Sequence, residues 1–331
     1  MKLIKFIATI LFLTGCSVDP EILPIIQTDN IKEITPEGWS APHYNFSNNP
    51  LTPDGFVLGK TLFYDPILSS DNSISCGSCH QQFAAFSNGG HDLSHGVNSQ
   101  LGIRNSPALQ NLNWQSSFFH DGGVTNFEVF PLSPIVNPVE MNETIANVIF
   151  KISKSEKYKT LLTKAFGDNT VTSQRLFKAL AQFMGTMYSY NSKYDQVKKG
   201  LAVFTSIEQN GYTLFKINCS SCHQEPLFSD YSFRDVGLPV NPAYMDSGRM
   251  HITKNIADIY KFKTPSLRNI EKSGPYMHDG RFKTLDECMG HYDYKIVNAP
   301  ILSANDKIEI IAFLKTLTDL TFLNDKRFSE K

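Results

Sequence analysis

The sequence predicts a mainly α protein built from two helical domains related by internal duplication. Three observations carry this expectation. The pattern C-x-x-C-H occurs twice, at Cys76–His80 and at Cys219–His223. Each copy follows a matching segment, Gly59-Lys60-Thr61-Leu62-Phe63 before the first and Gly211-Tyr212-Thr213-Leu214-Phe215 before the second. Each is then followed by a matched pair of motifs with the same internal spacing. These are Pro107-Ala108-Leu109-Gln110-Asn111 with His120-Asp121-Gly122, and Pro265-Ser266-Leu267-Arg268-Asn269 with His278-Asp279-Gly280. Features that recur in fixed order at fixed separation mark a repeated structural unit.

The chain of 331 residues is long enough for two domains, and its formal charge of −1 with no polybasic run argues against a nucleic-acid partner. At the N-terminus, Lys2 and Lys5 precede an apolar run from Phe6 to Leu13, which reads as a signal peptide over residues 1–16. Its ending, Leu13-Thr14-Gly15-Cys16, resembles a bacterial lipobox. That implies cleavage before Cys16, acylation of this residue, and a lipoprotein of the bacterial periplasm anchored to a membrane. Residues 17–49, with prolines and little periodicity, read as a tether and N-terminal arm. A first haem domain is expected over 50–200 and a second over 201–331.

Within each domain the glycine-containing segment belongs to a helix, capped by Thr52/Asp54 in the first and by Ser206 in the second. Each domain closes with an amphipathic helix, marked by Leu176, Leu180, Phe183 and Met187, and by Ile308, Ile311, Leu314 and Leu317. The stretch SNGGHDLSHGVNSQLGIRN, between the first C-x-x-C-H motif and Pro107, carries His91 and His95 and is rich in Gly, Ser and Asn, so a mobile polar loop is expected.

Cysteine usage turns this architecture into chemistry. Of six cysteines, Cys76/Cys79 and Cys219/Cys222 lie in the paired motifs, Cys16 in the lipobox, and Cys288 stands alone. C-x-x-C-H is the attachment signal for c-type haem. Two thiols add to the haem vinyl groups while the adjacent histidine, His80 or His223, turns onto the iron. Two copies in one exported chain point to two covalently bound haems rather than to one zinc site or a redox dithiol.

At this level the chain resembles the bacterial di-haem cytochrome c peroxidase and MauG family, from about Gly38 to Leu320. The stretches that carry the resemblance are LGKTLFYDPILSSDNSISCGSCH, RNSPALQNLNWQSSFFHDGG, NPVEMNE and KTPSLRNIEKSGPYMHDGRFKTLDE. The resemblance implies two cytochrome-c-like domains, a peroxidatic haem in the first and an electron-relaying haem in the second. It implies Glu128 as the acid/base group at the peroxidatic iron, with Asp286 at the matching place of the second half. It implies His95 as a reversible ligand of the first iron. It further implies a calcium ion between the domains, falling on Asn105, Ser273 and Pro275. His120 stands where relatives often carry Trp, and Gln110 also where many have one, so Trp114 is expected to serve packing.

The sixth ligand of the second haem falls in Cys288-Met289-Gly290-His291-Tyr292. Counting from His278 places it at Tyr292, with Met289 and His291 as alternatives. A phenolate would lower the potential of that haem and a thioether would raise it. The resulting expectation is a peroxidase that reduces hydrogen peroxide with electrons from a small cytochrome c or cupredoxin, in a chain that forms homodimers in some relatives. A MauG-like oxidase modifying a partner protein and a purely electron-transferring cytochrome are the rival readings.

Overall fold

Gly59 and Gly211 show how the two halves are built. The computed structural model describes residues 31–295 and 302–330, the side chains of 293–295 excepted. In the first half, helix α1 (Pro53–Tyr64) is followed by the short α2 (Cys76–Cys79), α3 (Leu132–Val136), α4 (Ile145–Lys154), α5 (Glu156–Phe166), α6 (Ser173–Met184) and α7 (Lys193–Lys198). The second half holds α8 (Ser206–Asn218), α9 (Met250–Thr253), α10 (Leu285–Lys295), α11 (Ala304–Lys315) and α12 (Leu320–Leu323). Between them two short strands, β1 (Phe233–Arg234) and β2 (Phe262–Lys263), pair antiparallel.

Helix α1 crosses α6, and α8 crosses α11, at such close range that only glycine fits. A Cβ on Gly59 would run into the Ala179 carbonyl and lie 3.0 Å from Phe183 Cβ. A Cβ on Gly211 would meet the Glu309 carbonyl and lie 3.0 Å from Phe313 Cβ. The repeated motif is therefore a helix-crossing device. Helix α1 starts at Thr52, whose hydroxyl accepts from Gly55 N at 3.0 Å. In the second half the cap is Thr205, one residue before the expected Ser206, because Thr205 and Glu208 form a reciprocal capping box.

The closing helices also obey the duplication. Helix α6 buries Leu180, Phe183 and Met184, with Met187 just beyond it, and α11 buries Ile310, Phe313 and Leu314, with Leu317 beyond. The stripe expected through Ile308 is thus corrected, since Ile308 is exposed. The face is set by alignment with α6, where the buried positions lie at i, i+3, i+4 and i+7.

The domain boundary expected at residue 200 is crossed in both directions. Tyr194 of α7 lies in the second core, its ring 4.8 Å from Phe228 and 6.2 Å from Phe313. Phe322 of α12 and Phe328 lie in the first core, against Phe86 at 5.8 Å and Phe183 at 6.0 Å respectively. Tyr64 Oη donates to the Phe328 carbonyl at 2.6 Å. Each half sends its last turn into the other.

The N-terminal arm wraps the first half from residue 31 onward. Tyr44 packs on Phe46 and Phe127, and Trp39 meets Trp114 edge-on at 5.0 Å. Trp114 is buried and donates Nε1 to the Ser40 carbonyl at 2.8 Å, which is the packing role expected of it. The signal segment and Cys16 lie outside the described residues. Among the described residues no helix is long and apolar enough to cross a membrane.

Candidate haem sites

Each C-x-x-C-H segment closes a single tight turn. The amide of His80 donates to the Cys76 carbonyl and that of His223 to the Cys219 carbonyl, both at 2.9 Å. That turn brings both thiols and the imidazole to one wall of a cavity. The first cavity, of about 780 Å³, is lined by Cys76, Cys79 and His80, and the second, of about 340 Å³, by Cys219, Cys222 and His223.

The imidazoles are oriented from behind. His80 Nδ1 donates to the Phe86 carbonyl at 2.7 Å, and His223 Nδ1 to the Phe228 carbonyl at 3.0 Å. This fixes the tautomer that leaves Nε2 free as a metal ligand. Burial pushes His80 down to about 4 and lowers His223 as well, so both rings are neutral at pH 7. Burial pushes the Cys76 and Cys219 thiols up to about 12. Paired thiols, an anchored neutral imidazole and a cavity of this size together fit a covalently attached haem at each site.

On the wall of the first cavity His95 is present, and its carbonyl lies 3.6 Å from Cys79 Sγ. The loop that carries it is cross-linked by backbone hydrogen bonds rather than loose. Ser94 N donates to the Arg104 carbonyl at 3.1 Å, Gly96 N to Gln100 at 2.8 Å and Val97 N to Glu140 at 2.8 Å. The loop is polar as expected, but tied down at both ends.

Glu128 is not on the cavity wall. Its Oε1 accepts from Tyr44 Oη at 3.0 Å, and Tyr44 packs on Phe127, so Glu128 fastens the N-terminal arm. Three carboxylates do line the first cavity, Asp121, Asp246 and Glu140; the two aspartates are paired with Arg104, which leaves Glu140 as the acid/base candidate. Burial raises its pKa above the usual glutamate range, partly offset by a hydrogen bond from Asn137. Sequence reasoning passed over Glu140 although Asn137-Pro138-Val139-Glu140-Met141 was in view. The available signal was a lone acid placed directly before Met141, a core residue.

The second cavity sorts the remaining candidates. Tyr292, Met289 and Cys288 all line it. His291 is turned away, its Nε2 donating to the Val236 carbonyl at 3.0 Å, and so is set aside as a ligand. Burial raises the Tyr292 phenol well above its ordinary value and pushes the Cys288 thiol up to about 12. Asp286 is exposed on α10 and lines neither of these two cavities. Asn105, Ser273 and Pro275 each line this cavity. Asn105 Nδ2 donates to the carbonyls of His91 and Asp92 at 2.8 and 3.0 Å.

Between the cavities stands a shared wall that includes Asn105, Pro107, His120, Lys263 and Pro265. The wall is stitched symmetrically: Asn105 N donates to the His278 carbonyl and Lys263 N to the His120 carbonyl, both at 2.7 Å. His120 Nε2 donates to the Asn105 carbonyl at 2.9 Å, and burial pushes its pKa down to about 4. Gln110 is buried, with Nε2 donating to the Arg268 carbonyl at 2.9 Å.

Comparison with known proteins agrees with this geometry. Residues 53–202 match the family model described as di-haem cytochrome c peroxidase. The chain is 33% identical over 293 residues to the methylamine utilization protein MauG of Methylophilus methylotrophus, covering 82% of this chain and 84% of that protein. It is 36% identical over 276 residues to the cytochrome c551 peroxidase of Nitrosomonas europaea, covering 81% of each. Among solved structures, a MauG-like protein associated with microbial copper homeostasis superposes with a TM-score of 0.81 at 30% identity, over 89% of this chain and 98% of that one. With its paired attachment motifs, its two cavities and relatives of both kinds over four-fifths of its length, the chain belongs to the di-haem cytochrome c peroxidase and MauG family.

Proposed function

We propose that the chain reduces hydrogen peroxide to water in the first cavity, drawing electrons through the second site from a small cytochrome c or copper protein. The haems, when bound, supply the redox chemistry. The chain supplies proton handling, and the observation that carries this reading is Glu140, a half-buried carboxylate on the wall that also holds Cys76, Cys79 and His80. A carboxylate there takes a proton from the peroxide oxygen nearer the iron and returns it to the farther one, so that the O–O bond breaks with water as the leaving group. Two electrons and two further protons complete the second water. The raised pKa of Glu140 suits a group that must both accept and return a proton.

In this reading Glu140 takes the acid/base role that the resemblance assigned to Glu128. His95 is the candidate reversible ligand of the first iron, and Asn105, Ser273 and Pro275 the candidate calcium site. Export and acylation at Cys16 place the chain in the periplasm on a membrane. Peroxide turnover by Glu140→Gln and Glu128→Gln tests the assignment. Loss of general acid–base catalysis costs about 10²–10⁴-fold, and that loss is expected for Glu140→Gln with haem content unchanged. Glu128→Gln is expected to stay near wild type, and the reverse pattern would overturn the assignment.

A second reading rests on Tyr292, whose phenol lies in the second cavity. As a phenolate ligand it would favour oxidising chemistry on a partner protein over electron entry from a donor.

A further inference from the structure

Lys263 is a place where the two halves of the shared wall differ in charge. It stands in the second half where Asn105 stands in the first, each tied through its backbone N–H to the histidine carbonyl of the other half at 2.7 Å. The duplicated wall thus carries a neutral amide on one side and an ammonium on the other.

The ammonium is poorly compensated. Nζ donates to Gln115 Oε1 and to the Ser117 carbonyl, both at 2.6 Å, and both acceptors are neutral. The carboxylate whose charge acts on it, Asp121, makes no direct bond to Nζ; it is held by Arg104 Nη1 at 2.5 Å, a guanidinium that also forks Asp246, and Arg249 Nη1 donates to the Asp121 carbonyl. The other groups facing Lys263 are His120, which is neutral, and the Tyr231 ring, 6.0 Å away. Burial drops the lysine pKa to about 7. Lys263 is half-buried, and a cation withdrawn from water with only neutral acceptors in direct contact gains from an anion that joins it. Lys263 lines both cavities, but its acceptors Gln115 and Ser117 come from the first half, and Gln115 lines the first cavity only.

We propose that Lys263 is a cofactor-binding residue whose ammonium holds a propionate carboxylate of the haem attached through Cys76 and Cys79. Haem carries two such carboxylates, and its entry into the first cavity brings an anion to a cavity whose wall includes this ammonium. The pairing keeps Lys263 charged at neutral pH and places one fixed positive charge beside the first haem. A positive charge there favours the ferrous over the ferric state.

The test uses the full-length holoprotein, rests on a haem in each cavity, and therefore begins with the mass of the protein with its covalent haems. Absence of two haems in the wild type would break the reading of the cavities, not the role of Lys263. Redox titration then follows each haem by its own electron paramagnetic resonance signal. In Lys263→Gln the reduction equilibrium of the first haem is expected to fall at least tenfold, about 59 mV for one electron, while Lys263→Arg stays near wild type. Unchanged potentials in Lys263→Gln, or a fall confined to the second haem, would overturn the assignment. Should Lys263→Gln fail to accumulate, resonance Raman spectra of the wild type in light and heavy water decide. A propionate bending band that shifts on deuteration supports the N–H donor, and one that does not overturns it.

Discussion

Gln110 donates its side-chain amide to the backbone carbonyl of Arg268 at 2.9 Å, and the two residues occupy the same position in the two halves. The contact lies where the halves meet, and Arg268 is fully buried there. Its guanidinium forms a fork on Asp195, with bonds of 2.9 and 2.8 Å, and stacks on Trp39 at 4.6 Å. Asp195 comes from the first half and Trp39 from the arm, so one cation joins three segments.

Removal of one partner from a buried ion pair costs about 3–5 kcal/mol. Arg268→Met is therefore expected to lower the denaturation midpoint strongly. Replacing Arg268 and Asp195 together is expected to cost less than the sum of the single changes. Thermal unfolding of the four proteins of this cycle checks the coupling.

Gly59→Ala and Gly211→Ala are expected to destabilise to similar degrees, because each new methyl meets a backbone carbonyl on the facing helix. Overpacking of this kind costs about 1–3 kcal/mol. Unfolding in urea with haem absorbance as the probe measures both. A large effect at one glycine and none at the other would contradict the matched crossings.

Glu140 also makes a pH prediction. Its carboxylate must be ionised to take the first proton, and burial holds its pKa above the ordinary glutamate value of about 4.3. Peroxide turnover is expected to rise with pH through that raised value. The acid limb of the profile is expected to vanish in Glu140→Gln and to persist in Glu128→Gln.

His120 links stability to acid. Its folded pKa of about 4 lies below the ordinary histidine value of about 6.5. Between those values the unfolded chain binds a proton that the folded chain does not. Stability is therefore complete above pH 6.5 and lost as pH falls toward 4, by up to about 3 kcal/mol. His120→Gln is expected to flatten this part of the pH–stability curve, as read by melting temperature.

Tyr292→Phe is expected to alter the absorption and magnetic spectra of the second haem and to raise its potential, since a phenolate favours ferric iron. Met289→Leu, in the same cavity, is expected to leave both nearly unchanged. The opposite outcome would assign the ligand to Met289 and favour electron entry at this site.

Much of the architecture was legible because it rests on local patterns. The repeated attachment motifs, the paired glycines and the spaced Pro and His residues are each read within a few residues, and each corresponds to a physical device in the fold. What escaped depended on contacts far apart in sequence. Glu128 and Glu140 are both acids after the first His-Asp-Gly turn, and only the packing of Tyr44 and Phe127 decides which one faces the cavity. Ile308 looked like part of an apolar stripe until α8 chose the face of α11. The charge on Lys263 could be read, but that its direct acceptors are the neutral Gln115 and Ser117 could not.

The exchanged ends of the two halves carry a consequence for how such a protein could be divided. A fragment stopped at residue 200 would keep Tyr194 without its aromatic partners and would lose Phe322 and Phe328 from its own centre. The remaining piece would suffer the complementary loss. Although each half has the shape of a small cytochrome, neither is a self-sufficient one. The duplicated chain behaves as a fused, end-swapped homodimer, and it should melt in a single cooperative step in which both haem environments collapse together.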